Sequence, residues 1–513
     1  MVPYFPYSLG ILQGFHFLLL PLIKISKTNF ILKFEKSNVI KFPLNFRSKL
    51  FHEDIARQLM KKYGPVFTKY TGSQPIVYVC NYELATEVYR NNVFAGRPIV
   101  HTEFTRPSDD KIGILFTDYG EAYKSLKRVG LTAINKFAGN DRLVDVVVDC
   151  VDSMVETIVK REGIDKPFVP NEYISMIFLN ILSSCAWGQS YNFDDPELKL
   201  MRYFIHDFAL ETNDKLKQWE GSALFRFLDR KLIAKQLQTM SDHQNLMIEK
   251  FVNHYIDYNQ EIDRDFCDAF ISAKNDAINS GGKAGGGSGA GAAQYLTDAN
   301  LTMSIYDMFI AGAEGTEMTF RWLTLFMAYY PAMQSRLRQE VDTVIGDRLP
   351  RHEDKHQCHY TMAFISEILR YRTIVSDGEL HKVRADNTKL GNHIIPKDTI
   401  VRVYQGIVMK NDDTNYWTRG LDFLPERFLD PLDGHYRKPS PAYNPFGSGA
   451  RKCVGERFAY AEIFLVLVRL LQRTNRYDIV LDSNDGVGIN PAINDFCVPF
   501  DFAIRFRHKK LIN

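Results

Sequence analysis

The stretch PFGSGARKCVGERF, residues 445–458, places a cysteine just before a long apolar segment. Gly447 and Gly449 leave room where the chain turns sharply or closes on a surface. The segment after Cys453, ERFAYAEIFLVLVRLLQ, is apolar on nearly every side and predicts a buried helix. Backbone N–H groups and the dipole at the N-terminus of such a helix favour a thiolate.

Three roles are open to Cys453. A buried structural cysteine is the usual role of a lone thiol. A cysteine hydrolase would need a histidine, and none lies nearby in a helpful context. A thiolate metal ligand accounts for the glycines and for Arg451 together. The glycines leave room for a bound group, and the guanidinium fork of Arg451 can hold a carboxylate.

A second unusual segment is AGAEGT, residues 311–316, inside the helical pattern of residues 297–331. Each glycine inside a helix costs about 1 kcal/mol relative to alanine, and here two of them flank Glu314. Either two helices pack closely at this point, or a wide, flat group approaches the backbone beside an acid and a hydroxyl. Both interpretations remain open on this segment alone.

Two weaker patterns follow. Glu367 and Arg370 lie one helical turn apart, as many solvated ion pairs do. Arg427, in FLPERF, has no obvious local purpose.

Most of the chain has helical spacing, and the sequence predicts a mainly α fold with small β-sheets. The predicted helices span 82–90, 121–137, 142–160, 172–187, 196–211, 243–258 and 297–331, and the predicted strands lie within 64–80, 399–404 and 477–481.

Taken together, the motifs resemble those of the cytochrome P450 family. FGSGARKCVG matches the family's cysteine-ligand loop, AGAEGT its oxygen-side helix, Glu367-x-x-Arg370 with Arg427 its structural triad, and FAGRP (94–98) a further marker. The order and spacing agree over roughly residues 51–513, with the character of animal microsomal, drug-type members. The resemblance implies a single large haem domain with the cytochrome P450 fold, behind an N-terminal apolar segment.

The resemblance also implies site residues. Cys453 would be the axial thiolate ligand of the iron of haem b. The remaining cofactor contacts would be Phe446, Arg451, Tyr123, Lys127 and His381. Glu314 and Thr316 would be catalytic, although the family normally has threonine where this chain has Gly315. Proton delivery is therefore in question.

Composition excludes some functions. Lys plus Arg (63) nearly balances Asp plus Glu (61), so no global charge indicates a nucleic-acid partner. The seven cysteines are far apart and form no CxxC pair, which disfavours disulfides and structural zinc and fits a reducing, cytosol-facing environment.

The N-terminus predicts a membrane anchor. Residues 1–23 carry no charged side chain, and residues 24–50 hold seven basic residues against one acid. An apolar run followed by positive charge is typical of an anchor with a cytoplasmic flank. Gln13, His16 and Pro21 keep an interfacial helix open as an alternative, and a signal peptide is a third. With the resemblance, the anchor indicates the endoplasmic reticulum membrane, with the catalytic domain (51–513) facing the cytosol.

The segment GGKAGGGSGAGAA, residues 281–293, predicts an internal flexible linker. It matches neither GxGxxG nor GK[ST], so it is not a phosphate-binding loop. Since the chain has no dinucleotide fingerprint, the resemblance implies a separate NADPH-dependent flavoprotein reductase.

The implied activity is a haem-thiolate monooxygenase that inserts one oxygen atom of O₂ into a lipophilic small molecule. Two alternatives are an isomerase or dehydratase acting on a peroxide, and a non-catalytic haem protein. Consumption of electrons and O₂ would separate them. By analogy, the substrate pocket would involve residues 99–116, 201–208, 306–313 and 373–380.

Overall fold

The computed structural model of the protein describes residues 39–40, 53–71, 74–98, 112–208, 229–262, 264–279, 293–411, 416–482, 489 and 497–509. The predicted anchor (1–23), most of the basic linker (24–50) and residues 281–292 of the glycine-rich linker lie outside these ranges. Within the described ranges, no helix is both long enough and apolar enough to cross a bilayer.

Helices make up most of the described chain. They are α1 (Glu53–Tyr63), α2 (Tyr82–Arg90), α3 (Glu121–Phe137), α4 (Asp141–Arg161), α5 (Asn171–Trp187), α6 (Pro196–Arg202), α7 (Arg230–Ile256), α8 (Phe266–Asn279), α9 (Asp298–Tyr329), α10 (Pro331–Val344), α11 (His359–Tyr371), α12 (Gln405–Val408) and α13 (Glu456–Arg473). A π-helix, Tyr203–Phe208, continues α6.

The strands are short. They are β1 (Val39–Ile40), β2 (Val66–Thr71), β3 (Gln74–Val79), β4 (Leu380–Lys382), β5 (Thr388–Leu390), β6 (His393–Ile395), β7 (Ile400–Val403), β8 (Tyr477–Leu481) and β9 (Ile504–His508).

The largest sheet joins distant parts of the sequence. Its strand order is β1-β2-β3-β7-β4, and β5 with β6 and β8 with β9 form separate antiparallel pairs. β3 and β7 are parallel, with Ile76 opposite Ile400 and Val79 opposite Val403. This sheet therefore extends from the segment interpreted as a basic linker to the last third of the chain.

The core is built around α9 and α13. Thr297 caps α9 by accepting a hydrogen bond from the backbone N–H of Asn300, and Pro331 starts the next helix. Most side chains of both helices are buried, as their all-round apolar character predicts. α9 packs on α5, and α13 packs on α4.

Most predicted elements are found close to their expected bounds. α3 has the predicted residues, and α4, α5 and α9 differ from prediction by one or two residues at the ends. The predicted start of α7 at residue 243 is wrong, because the helix begins at Arg230. Its first three turns are mostly polar or exposed, so they give little hydrophobic periodicity.

Candidate active site

The cysteine loop is fixed against α2 by a glycine. Gly449 has φ +68°, and a Cβ atom built on it would lie 1.8 Å from the carbonyl oxygen of Tyr89. No other residue fits both the left-handed backbone and this close approach. Gly447 also has positive φ (+66°), but a Cβ atom there would meet no protein atom within 4 Å.

Cys453 lies at the open end of this loop. All seven cysteines are in the described ranges, all are free thiols, and Cys453 alone is exposed. Its backbone N–H donates to the carbonyl of Phe446 (3.0 Å), and the Phe446 ring packs against Tyr460. Desolvation by the surrounding loop raises the pKa of the thiol, while hydrogen bonds from the backbone of Gly455 and Glu456 lower it. These donors belong to the start of α13 and only partly offset the desolvation, so the net shift of the pKa is upward.

Two side chains of α3 hold the loop from the side. The Tyr123 hydroxyl donates to the carbonyl of Ala450 (2.8 Å), and the Lys127 ammonium donates to the carbonyls of Ala450 (2.7 Å) and Lys452 (2.9 Å). Burial, with a contribution from nearby Arg451, lowers the pKa of Lys127 to about 8. Both residues thus adjoin the loop, but here their polar atoms bind its backbone, and their predicted role as propionate contacts stays a prediction.

Arg451 points inward. Its guanidinium lies over the Tyr123 ring at 3.8 Å, and its Nε and Nη2 atoms donate to the carbonyls of Ala95 and Thr117. The remaining nitrogen, Nη1, is buried without a hydrogen-bond partner. Burial and the neighbouring Arg97 lower the pKa of Arg451 to about 10.

The FAGRP segment contacts His381 through Phe94 and contributes a further cation, Arg97. The carbonyl of Phe94 pairs with Nδ1 of His381 (3.0 Å), which is buried, and burial followed by the charge of Arg97 lowers the pKa of this histidine to about 3. Arg97 itself was not among the predicted site residues. It donates to the carbonyls of Leu115 and Leu380. The marker that contains Arg97 was the available signal.

These residues suit an anionic group. Three cations, Arg97, Lys127 and Arg451, are close enough for Arg97 to lower the pKa of each of the other two. A buried donor without a partner, Arg451 Nη1, is costly unless it meets an acceptor. A group that carries carboxylates, as haem b does, would supply both the acceptor and the negative charge.

The middle of α9 is open, whereas most of the helix on either side is buried. Ile310, Ala311, Glu314 and Gly315 are partly or fully exposed, and they share one face. The two glycines differ in purpose. A Cβ atom on Gly312 would lie 3.3 Å from Leu182 of α5, whereas one on Gly315 would meet no protein atom within 4 Å. Gly312 therefore serves helix packing, and Gly315 belongs to the open face.

Glu314 lies on this open face. Because Glu314 is only partly exposed, desolvation raises the pKa of its carboxyl to about 8, and the negative charges of Glu317 and Glu379 add to the effect. The carboxyl is thus mostly protonated at neutral pH.

Thr316 lies elsewhere. It is buried, and its hydroxyl donates to the carbonyl of Gly312 (2.7 Å) and contacts the buried carboxyl of Glu462 on α13. α9 is α-helical from Asp298 to Tyr329, with no π-bulge that would rotate Thr316 toward the open face. The structure brings Glu314, but not the Thr316 hydroxyl, to this face.

The structure brings Glu367, Arg370 and Arg427 together in a buried network. Glu367 Oε1 accepts from Arg427 Nε (3.1 Å) and from the backbone N–H of Leu424 (2.7 Å). Arg370 donates to three further backbone carbonyls, those of Met409, Gly420 and Asp422.

Comparisons with known proteins define the family. The family model described as Cytochrome P450 matches residues 40–478. Steroid 17-alpha-hydroxylase/17,20 lyase of Sus scrofa is 30% identical over 460 residues, covering 88% of this chain and 87% of that protein. Cytochrome P450 2B19 of Mus musculus is 30% identical over 426 residues, covering 81% of each chain.

A solved structure has the same fold. A zebra fish cytochrome P450 structure with progesterone matches with a TM-score of 0.73 at 24% identity, covering 88% of this chain and 98% of that one. The chain belongs to the cytochrome P450 family. It is accordingly a haem b enzyme, a monooxygenase that uses O₂, a lipophilic substrate and a redox partner.

Proposed function

We propose that this protein is a membrane-anchored monooxygenase of the endoplasmic reticulum that oxidises steroid-like molecules, with Cys453 as the thiolate ligand of its haem. The observation that carries the proposal is the exposed thiol at the start of α13, within a loop that Gly449 fixes against α2. A structural cysteine would be buried, as Cys80, Cys185, Cys267 and Cys358 are.

The residues around the loop would hold the haem. Arg451, through its unpartnered Nη1, and Arg97 would bind the propionates, with His381, Tyr123 and Lys127 beside them. Phe446 would shield the thiolate from one side. When bound, the haem supplies the activation of O₂, so that one oxygen atom enters the substrate and the other leaves as water.

The open face of α9 would be the oxygen and substrate side. Ile310 and Ala311 offer an apolar surface, and Glu314 offers a protonated carboxyl. The relatives named for steroid hydroxylation, together with the progesterone-bound neighbour, favour a steroid-like substrate.

Electrons would come from a separate NADPH-dependent flavoprotein reductase, because the chain has no nucleotide-binding fingerprint. Residues 1–23 would anchor the protein, and the basic segment 24–50 would keep the catalytic domain on the cytosolic side.

The central test is a reconstituted assay. The purified protein is titrated with progesterone, a fatty acid and a xenobiotic while the haem spectrum is recorded, and turnover is then measured with NADPH and a flavoprotein reductase. We expect spectral binding and NADPH-dependent hydroxylation of the steroid. Rearrangement of a lipid peroxide without NADPH or O₂ consumption would instead establish the isomerase alternative.

The anchor is tested by deletion of residues 1–23. We expect much of the protein to leave the membrane fraction, and any binding that remains through the basic segment should decrease with salt. Full retention in high salt would show that another surface of the protein embeds in the membrane.

A further inference from the structure

Monooxygenation consumes protons as well as electrons. A substrate RH, O₂, two electrons and two protons give ROH and water, so the site must receive two protons in each cycle. Gly315 has no hydroxyl with which to pass them, and the Thr316 hydroxyl is bonded to the Gly312 carbonyl and in contact with Glu462. Another donor must therefore serve the open face of α9.

A stripe of charged side chains on α9 leads away from that face. Glu314, Glu317 and Arg321 are three and then four residues apart on α9, so they share one side of the helix. Glu317 and Arg321 are buried, with 3% and 4% exposure. Glu317 interacts electrostatically with both neighbours, since its charge acts on the carboxyl of Glu314 and on the guanidinium of Arg321.

The stripe reaches solvent at its far end. Arg321 Nη2 pairs with Asp501 Oδ1 at 3.3 Å, and the Asp501 side chain is 81% exposed. Asn171 at the start of α5 donates to the same carboxylate oxygen (2.6 Å), which fixes Asp501 beside the helix. The stripe thus runs from the open face, through two buried side chains, to a surface carboxylate.

We propose that Glu314 and Glu317 form a carboxyl relay that carries protons from the Asp501 surface to the open face of α9, in place of the missing hydroxyl. The inference rests on the proposed function. Glu314 gives up the proton on its carboxyl oxygen. The charged Glu317 carboxylate then takes a proton from water at the Asp501 end and passes it to Glu314, which returns both groups to their starting states. Only protons move, so no further reactant is needed.

The charges around Glu314 favour proton transfer from the Asp501 surface toward the open face of α9. The pKa of Glu314 near 8 keeps it protonated and able to donate at neutral pH; besides burial, the charges that act on it are those of Glu317 on its own helix and of Glu379 before β4. Arg321 is a positioning residue. Burial lowers its pKa, while the negative charges of Glu317 and Asp501 oppose that change, so its positive charge acts on both acids.

The test is Glu317→Gln in the haem-loaded protein with a reconstituted reductase. We expect product formed per NADPH to fall about tenfold while NADPH is still oxidised, because a general acid has lost its proton supply. In the double variant Gly315→Thr with Glu317→Gln, product formed per NADPH (the coupling) should rise again, since the new hydroxyl provides a second route for protons. Glu156→Gln is the control, because it removes the same charge from a glutamate that is exposed on α4, where it pairs with Arg473.

A second readout does not depend on turnover. Infrared spectroscopy of the resting protein should show a protonated carboxyl band that is absent from Glu314→Gln and titrates near pH 8. In Glu317→Gln the band should titrate at lower pH, because one negative neighbour is gone.

If Glu317→Gln does not fold, Asp501→Asn decides, since this exposed change leaves the core intact; coupling about threefold lower is expected when the surface end is removed. The relay is overturned if product formed per NADPH is unchanged in Glu317→Gln, or in Asp501→Asn where Glu317→Gln does not fold. An unshifted carboxyl band in folded Glu317→Gln overturns it as well. A wild-type enzyme that oxidises no NADPH would instead refute the proposed function itself.

Discussion

Glu367 and Arg370 face each other across one turn of α11 through two hydrogen bonds, of 2.6 and 2.8 Å, and neither side chain is exposed to solvent. A pair of this kind on a surface contributes little to stability. Here the remaining donors of Arg370 hold three backbone carbonyls of the segment 409–422, so the pair ties α11 to the chain that precedes the cysteine loop.

We expect Arg370→Ala to lower the free energy of unfolding by about 3–5 kcal/mol, because it leaves the Glu367 carboxylate buried with only Arg427 and one backbone N–H. Urea denaturation of the purified protein measures the change. Lys124→Ala, which breaks an exposed i,i+3 pair with Glu121, is the control and should leave the free energy of unfolding nearly unchanged. Equal effects of the two substitutions would contradict the buried network.

Gly449→Ala should prevent the cysteine loop from seating on α2, because the new Cβ atom would overlap the Tyr89 carbonyl. We expect little haem-loaded protein. Gly434→Ala is the matched control: its φ is also positive (+72°), but no atom lies within 4 Å, so only about 1–2 kcal/mol of backbone strain is expected. The haem content per protein, measured for both variants, distinguishes the effect of the close contact from the effect of the backbone strain. Similar haem content in the two would show that the contact is not needed.

Cys453→Ser should abolish the strongly red-shifted Soret band of the reduced, carbon-monoxide-bound enzyme, since serine is a poor ligand for a metal that prefers thiolate. Cys150→Ser, at a half-buried cysteine of α4, should retain the band. An unchanged band in Cys453→Ser would mean that another residue provides the ligand.

Glu314→Gln should stabilise the protein increasingly as pH rises. The folded-state pKa of Glu314 lies above its ordinary value of 4.5, at about 8, so the folded protein binds this proton more tightly than the unfolded chain does. The resulting stability is present below pH 4.5 and is lost as pH rises through 8. Thermal denaturation of both proteins across this range should therefore show a Tm difference that grows with pH. A constant difference would mean that Glu314 titrates normally.

The long helices could be predicted because their apolar residues recur with helical spacing over many turns. The cysteine loop could be recognised because FGSGARKCVG resembles the cysteine-ligand loop of the family. The structural reason for Gly449, its close approach to Tyr89, could not be predicted, because that contact joins distant parts of the chain. Strands β4, β5 and β6 have three residues each, too few for an alternating pattern to be recognised.

Other features depend on tertiary contacts that no local pattern contains. The sequence did not distinguish a solvated pair from a buried network at Glu367 and Arg370, because burial is decided by distant segments. Nor did it assign Gly312 to helix packing and Gly315 to the open face, since that difference depends on Leu182 of α5. The contacts of Arg97 could not be predicted from its place in the FAGRP marker, because its partners, Leu115 and Leu380, approach it only in the folded chain.

The parallel pairing of β3 with β7 sets an order of events during synthesis. A ribosome that has completed β3 must still add more than half of the chain before β7 exists, which takes on the order of tens of seconds at cellular rates. Until then the far edge of β3 has no strand to pair with, and unpaired edges are prone to intermolecular association. Tyr89, at the end of α2, likewise lacks its contact with Gly449 until the cysteine loop has been synthesised. The nascent N-terminal segment therefore exposes an unpaired strand edge for most of the time that the chain is being synthesised.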